Sequence, residues 1–288
     1  MNTFDLRPLS LGEILDRTFT LYRGYFVLFL GISAIPRVLV LVLNLAQVFV
    51  LVPLGFGGAG QTTPSPNAEM IGGLVAFLVL GLLTFVVSLL VILLTQGATV
   101  IAVSELYLGR SITIAESFRR VRGDLGMLLG LLILNLLAVF AGLILLIVPG
   151  IYIMCRLLVS VPAALTEKLG PVEGLERSFS LTTDNAGRGF LILLLYFALS
   201  IGGALLFAAP FQAAIFLSKG SAGLMLFWTA MTQVGAFAAN VLVTPVLTIA
   251  SAVFYYDLRV RKEAFDLQML MTPLGGTPAS GGVPTVLS

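Results

Sequence analysis

The chain has 288 residues, of which 58% are hydrophobic and 10% charged, with a formal net charge of +2. Soluble domains run at about 45–50% apolar and about 25% charged, so composition places this chain in the membrane class. The small net charge excludes a strongly basic nucleic-acid binder. There is no histidine and one cysteine, Cys155. That excludes imidazole-built zinc sites, Ser-His-Asp or Cys-His catalysis, an intrachain disulfide and a cysteine metal cluster. No metal and no cofactor is expected.

In chain order, the N-terminal segment carries charge as far as Arg23 and mixes in Asp5, Glu13 and Asp16. This is unlike a cleavable signal peptide, so the apolar stretch that follows is expected to be retained. A bilayer-crossing helix needs about 20 mostly apolar residues, and six segments meet or approach that length. The first runs from Tyr25 to Val52, with Pro36 and Arg37 inside. The second begins near Met70 and stays apolar past Leu94, towards Leu108. The third covers Leu125 to Val148, and Pro149-Gly150 reads as a tight outer turn into a short fourth, Gly150 to Leu165. The fifth runs from Phe190 to Leu217 with Pro210, and the sixth from Ala222 to Tyr256 with Pro245. The longest exceed a bilayer thickness, which tilt, proline kinks or extension into the cytoplasm would absorb. From Met271 onward the chain is uncharged and rich in Gly, Pro, Ser and Thr. A membrane domain over residues 1–266 followed by a disordered cytoplasmic tail over 267–288 is expected.

Basic residues set the orientation. Arg7, Arg17 and Arg23 precede the first span, and Arg110, Arg119, Arg120 and Arg122 connect the second to the third. Lys168, Arg177 and Arg188 connect the fourth to the fifth, and Arg259, Arg261 and Lys262 follow the sixth. Only Lys219 falls on the opposite side, and the outer loop from Gly55 to Glu69 has no Lys or Arg. By the positive-inside rule both termini are cytoplasmic.

The charged pieces resemble one another. Glu13 to Arg17, Glu116 to Arg120 and Glu173 to Arg177 each place Glu four residues ahead of Arg, the favourable order for a helical ion pair. Three residues before each Glu stands a helix start: Ser10, Thr113, and Gly170 followed by Pro171. The first two read as capping boxes, the third as Pro at the first helical position. Apolar faces follow: Leu11, Ile14, Leu15, Thr18 and Tyr22; Ile114, Phe118, Val121 and Leu125; Val172, Leu175, Phe179 and Thr182. Such helices suit the membrane interface. The expected fold is therefore all-α and integral to the membrane. Its six transmembrane helices form three repeats of an interfacial amphipathic helix plus a transmembrane hairpin, over about 8–108, 111–166 and 169–257.

Several stretches carry a family resemblance. They are Phe4-Asp5-Leu6-Arg7-Pro8 through Asp16; Pro149-Gly150-Ile151-Tyr152 with Arg156 and Pro162-Ala163-Ala164; Arg177 through Thr182; and Tyr256-Asp257-Leu258-Arg259 through Glu263. Together they resemble the six-span membrane domain of the glycerophosphoryl diester phosphodiesterase family, over residues 4–266. The resemblance implies a free-standing module in the bacterial cytoplasmic (inner) membrane. Phosphodiesterases of that type add a soluble barrel with histidines around a metal. This chain has neither, so the resemblance does not carry the hydrolytic activity over, and the chain is not expected to be an enzyme.

Two arginines, Arg37 and Arg156, fall inside spans with no acid in the middle of any span to pair them. Glu105 is the nearest acid by depth. An intramembrane charge costs about 2.5–3.5 kcal/mol or more, and an unpaired guanidinium suits a lipid phosphate or a carboxylate. The structural alternatives are that Arg156 snorkels or caps carbonyls of a neighbouring helix, and that Arg37 answers the Ile32 carbonyl left without a donor by Pro36. Asn44, Gln96, Asn135, Gln212, Gln233 and Asn240 read either as cavity lining or as bonds between helices. Gly81, Gly97, Gly142 and Gly202-Gly203 suit close helix packing. Tyr255 and Tyr256 read as an anchoring belt, with Arg259, Arg261 and Lys262 beyond them to dock anionic head groups or a cytoplasmic partner. The expected function is binding or translocation of an anionic lipid or amphiphile. A membrane scaffold or assembly subunit, or a secondary transporter of a small anion, is the alternative. Membrane lipids, and a cytoplasmic or membrane protein, are the expected partners, and the oligomeric state is left open.

Overall fold

The computed structural model describes residues 8–51, 68–218 and 221–263. Arg7 with the opening Phe4 marker, most of the outer loop from Gly55, Lys219 and the 267–288 tail lie outside the described residues. The described residues form eleven α-helices and a 3-10 turn, with no strand among them.

A short helix precedes two long apolar stretches three times. Helix α1 (Leu11–Gly24) leads into α2 (Phe26–Leu51) and α3 (Ala68–Tyr107). Helix α4 (Ile114–Val121) continues through the 3-10 turn Arg122–Asp124 into α5 (Leu125–Leu145), then α6 (Ile147–Arg156) and α7 (Ser160–Glu167). Helix α8 (Pro171–Thr182) leads into α9 (Ala186–Phe207), α10 (Ala209–Leu217) and α11 (Ala222–Glu263). Six stretches are long and apolar enough to cross a membrane: Phe26–Val50, Ile71–Tyr107, Ile114–Leu145, Ile147–Glu167, Ala186–Phe207 and Gly223–Glu263.

Three interruptions each lie just ahead of a proline. The chain leaves α5 at Leu146, an extended residue, and Pro149 then sits in the first turn of α6. The turn therefore falls three residues before the Pro149-Gly150 turn expected from sequence. A proline in a first turn lacks only an N–H that has no intrahelical partner anyway, so Pro149 starts the new helix instead of ending the old one. The fourth apolar stretch is broken at 157–159, with Pro162 in the first turn of α7. The fifth is broken at Ala208, with Pro210 in the first turn of α10. Pro36 and Pro245, by contrast, lie inside unbroken α2 and α11.

All six stretches bring one end to a common charged layer. There the starts of α2, α5 and α9 meet the ends of α3, α7 and α11, and α1, α4 and α8 pack among them. The main core lies in this layer and just above it, where Ile14, Phe29, Ile32, Val103, Ile249, Phe254 and Leu258 are essentially sealed from solvent. Residues 9 and 257 are hydrogen-bonded there, so both ends of the described chain lie on the same side. Away from that layer the helices present bare apolar side chains. The tip between α5 and α6 is the extreme case, with Ile144 82% exposed.

Close backbone contacts hold the hairpins. A Cβ on Gly142 of α5 would stand 2.9 Å from the Gly150 Cα of α6, and a Cβ on Gly235 of α11 would overlap the Phe207 carbonyl oxygen. Gly97 also sits under a neighbour, Val121, whereas Gly202 meets nothing within 4 Å and Gly81 only touches Gln47. The expected close packing therefore belongs to some of the predicted glycines and not to Gly81 or Gly202. Gly142→Ala should destabilise the folded chain by about 1–3 kcal/mol, the usual cost of overpacking against backbone. Gly72→Ala, in open space, should be neutral or mildly stabilising. Thermal unfolding in one detergent measures both.

Candidate functional site

The first and third short helices begin as their sequences predict, and the second forms only half of its expected capping box. At α1 the capping box is complete: the Ser10 N–H donates to Glu13 Oε2 at 2.7 Å and the Glu13 N–H to Ser10 Oγ at 3.3 Å. At α4 the Glu116 N–H donates to Thr113 Oγ1 at 3.3 Å. Glu116 itself turns to Arg120, at 2.6 Å. At α8, where the N-cap is glycine, Glu173 Oε2 accepts from the Gly170 N–H at 3.0 Å. Of the predicted Glu-to-Arg pairs, Glu116–Arg120 is formed. Arg177 leaves Glu173 and bonds Glu167 and Glu263 instead. Burial alone would lower the Arg177 guanidinium, but these two carboxylates lift it above its ordinary range. Arg17 lies half-buried on α1. The buried stripe of α8 is Gly174, Ser178, Leu181 and Thr182, which leaves Val172 outside. Small residues face α7 there, and a Cβ on Gly174 would stand 2.8 Å from the Ala164 Cβ.

The charged layer closes on Asp257, whose side chain has no exposed surface. Its Oδ1 accepts the Leu9 N–H at 2.6 Å. Its Oδ2 accepts Arg188 Nη1 at 2.7 Å and Arg261 Nε at 3.0 Å. Both guanidiniums also donate to the Leu9 carbonyl, at 2.5 Å each. A second cluster joins α7, α8 and α11. Glu167 accepts from Arg177 and from the Tyr255 hydroxyl at 2.8 Å each, and Glu263 accepts Arg259 Nε at 3.0 Å. Lys262 donates to the Ser180 carbonyl at 2.7 Å. Arg259, Arg261 and Lys262, expected to dock head groups or a partner, thus spend donors on their own chain. Tyr255 and Tyr256 are buried, with Tyr256 stacked on Tyr107 at 4.9 Å, and do not form an outward belt. The apolar run simply continues inward, because α11 passes through the core before it ends.

Arg156 closes α6 against the C-terminal end of α8. Its Nε donates to Thr182 Oγ1 at 3.0 Å, Nη1 to the Tyr152 hydroxyl at 2.8 Å, and Nη2 to the Phe179 carbonyl at 2.5 Å and Thr183 Oγ1 at 3.2 Å. The guanidinium also lies over the Phe179 ring at 4.9 Å. A cation on the last carbonyls of a helix is favourable on its own account. This is the carbonyl-capping alternative, and it occupies nearly the whole donor fork. Glu105 goes to Arg120 and Arg110, and pairs with neither arginine inside the spans.

Arg37 is different. It stands about 16 Å along α2 from Phe26, at a rise of about 1.5 Å per residue. Its one hydrogen bond among the described residues runs from Nη2 to Thr244 Oγ1 of α11, at 2.9 Å. Its Nε is buried with no partner among the described residues. No carboxylate among the described residues lies within ion-pair distance. The side chain lines a cavity of about 150 Å³ between α2, α3 and α11, together with Asn44, Ser88, Gln233 and Asn240. Asn44, Ser88 and Gln233 have no hydrogen-bond partner among the described residues, and Asn240 donates to the Ala236 carbonyl at 2.8 Å. A smaller cavity of about 80 Å³ adjoins the first, sharing Asn240 and lined also by Tyr196, Ser200 and Thr244. The structure therefore gathers Arg37, Asn44, Gln233 and Asn240 into one polar site. Asn135 instead bonds Ser160 between α5 and α7 at 2.8 Å, and Gln212 lies exposed on α10.

Comparison with protein-family models, curated proteins and solved structures finds no match to the chain.

Sequence reading missed Asp257, Arg188, Glu167 and Glu263. Asp257 stood in view as an acid at the end of a long apolar run, with Arg261 four residues on, but its other partners are 69 and 248 residues away. Removing one member of a buried, multiply bonded ion cluster costs about 3–5 kcal/mol. Asp257→Ala should destabilise the protein by that order, whereas Glu116→Gln, at an exposed pair, should cost at most about 1 kcal/mol. Chemical unfolding of the two variants beside wild type makes the comparison.

Proposed function

We propose that this chain is a non-enzymatic integral membrane module that binds or translocates an anionic lipid or amphiphile, with Arg37 as its anion contact. The observation that carries the reading is the Arg37 Nε, buried without a partner beside a cavity whose other polar walls are amides and a hydroxyl. A guanidinium at that depth costs several kcal/mol unless an oxyanion or water meets it. An anion presents the forked acceptor geometry that Arg binds best. The bare apolar faces of α2 and α3 beside the cavity, Leu39, Val42, Leu83 and Leu90 among them, suit an acyl chain.

The six apolar stretches, each long enough to cross a membrane, support a multi-pass membrane protein, and the resemblance to the phosphodiesterase membrane domain favours the bacterial cytoplasmic membrane. The charged layer then faces the cytoplasm. The recurrence of a short helix before each pair of apolar stretches supports reading them as three repeats, with α1, α4 and α8 at the interface. Arg156 is assigned to structure, because its donors are taken. The scaffold alternative draws less support, since Arg259, Arg261 and Lys262 are turned to internal partners.

Native mass spectrometry with lipidomics of the purified protein tests the function. Wild type should retain an anionic lipid selectively, and Arg37→Met should lose it while Arg156→Met keeps it. Recovery of no selective lipid from wild type would sink the reading. Orientation has its own test with a membrane-impermeant maleimide on intact cells. Ser221→Cys should label from outside and Arg119→Cys only after lysis, while the buried native Cys155 stays silent in both.

A further inference from the structure

We infer that the Arg37 cavity selects a monoanionic head group, the carboxylate of a fatty acid or a phosphodiester, over a doubly charged phosphomonoester. The inference rests on the reading of Arg37 as an anion contact and narrows it. Three features carry it. Arg37 supplies the single formal charge, because the other polar lining groups, Asn44, Ser88, Gln233 and Asn240, are neutral. One negative charge neutralises that site. A second would stand in the same half-open cavity with no further cation among its lining residues to meet it, and an uncompensated charge there is disfavoured. The neutral groups nevertheless supply donors enough for several oxygens, since the amides of Asn44 and Gln233 and the hydroxyl of Ser88 are all without partners among the described residues.

The cavity, about 150 Å³, is half-open, so a charged head can meet Arg37 while the rest of the amphiphile extends out of it. The apolar walls Val40, Leu41, Val91 and Ile92 lead from it to the outward faces of α2 and α3, which is where a chain would run. A zwitterionic head would also bring a cation beside Arg37.

The test is native mass spectrometry of the full chain in detergent at about pH 8, where a phosphomonoester, with its second pKa near 6, is largely dianionic. Four probes are titrated separately: sodium oleate, dioleoyl phosphatidylglycerol, dioleoyl phosphatidic acid and dioleoyl phosphatidylcholine. Oleate, phosphatidylglycerol or both should bind one to one, at least about tenfold more tightly than phosphatidic acid or phosphatidylcholine. Arg37→Met should abolish the adduct. Gln233→Leu, which keeps the charge, should weaken it without changing the order of preference. Binding of oleate alone assigns the carboxylate, and binding of phosphatidylglycerol alone the phosphodiester. Phosphatidic acid binding as tightly as the monoanions, and still dependent on Arg37, overturns the selectivity and leaves the anionic-amphiphile function standing. Absence of any Arg37-dependent adduct overturns both. If Arg37→Met elutes as aggregate, Arg37→Lys and Gln233→Leu carry the comparison. An unchanged adduct in both would then count against the site.

Discussion

Asp257 is enclosed on every side, and three parts of the chain far apart in sequence meet on its two oxygens. A buried carboxylate is tolerable only when its charge and lone pairs are answered, and here two guanidiniums and one backbone N–H answer them. The same guanidiniums then reach past it to the Leu9 carbonyl, so a non-helical residue ahead of α1 has both its backbone polar groups satisfied. The consequence is geometric. The start of α1, the start of α9 and the end of α11 cannot separate without exposing charge to a low-dielectric interior. Glu167 and Glu263 repeat the device one step away, tying α7 and α8 to the same end of α11. The charged layer is thus a foundation on which the long helices stand.

Above that foundation the forces change. Where apolar helices meet among apolar surroundings, area burial gives little preference for one packing over another, and van der Waals fit and hydrogen bonds decide. The contacts match that expectation. Gly142 on Gly150 and Gly235 on Phe207 bring backbones together, and Gln47 to Thr84 and Asn135 to Ser160 supply bonds between helices. α11 carries most of the traffic. It touches α1, α2, α3, α7, α8, α9 and α10, and both cavities lie along it. A cavity beside a helix that is itself fixed at one end by ion pairs keeps a constant floor, while its walls are held by weaker contacts.

How much of this was legible in the sequence depends on the range of the interaction. The long apolar helices, the short amphipathic ones and the Ser10 box are local facts, set within a few residues of each other, and the residue pattern displays them. The prolines were legible but misread. Pro149 looks like a turn because it follows a long helix, yet in the structure it belongs to the next one, and only Leu146 is out of helix. The tyrosines at 255 and 256 look like an interface belt because a basic run follows them. They are buried because α1, α3 and α7 surround the end of α11, a fact of tertiary packing that one segment does not contain. Of the partners of Asp257, only Arg261, four residues on, is within reach of local reasoning; Arg188 and Leu9 are not. Any of a dozen basic residues could have been placed opposite it.

The two arginines inside the apolar stretches show why residue type and depth are insufficient by themselves. Arg156 and Arg37 are equally anomalous as letters, each without an acid nearby in sequence. Arg156 lands where a helix ends, and helix ends expose carbonyls, so the fold itself supplies acceptors for its donors. Arg37 lands in the middle of α2 and opposite the middle of α11, where most backbone carbonyls are engaged within the helices, and those that Pro36 and Pro245 free, of Ile32 and Val241, take no bond from it. Only a side-chain oxygen, that of Thr244, is offered to it, and the rest of the fork has amides that are themselves unpartnered. A structural arginine recruits its neighbours into bonds. Here the neighbours Asn44, Ser88 and Gln233 have no hydrogen-bond partner among the described residues, a surplus of donors lining one space. That surplus, more than the positive charge, marks Arg37 as a group placed to meet something the chain does not itself provide.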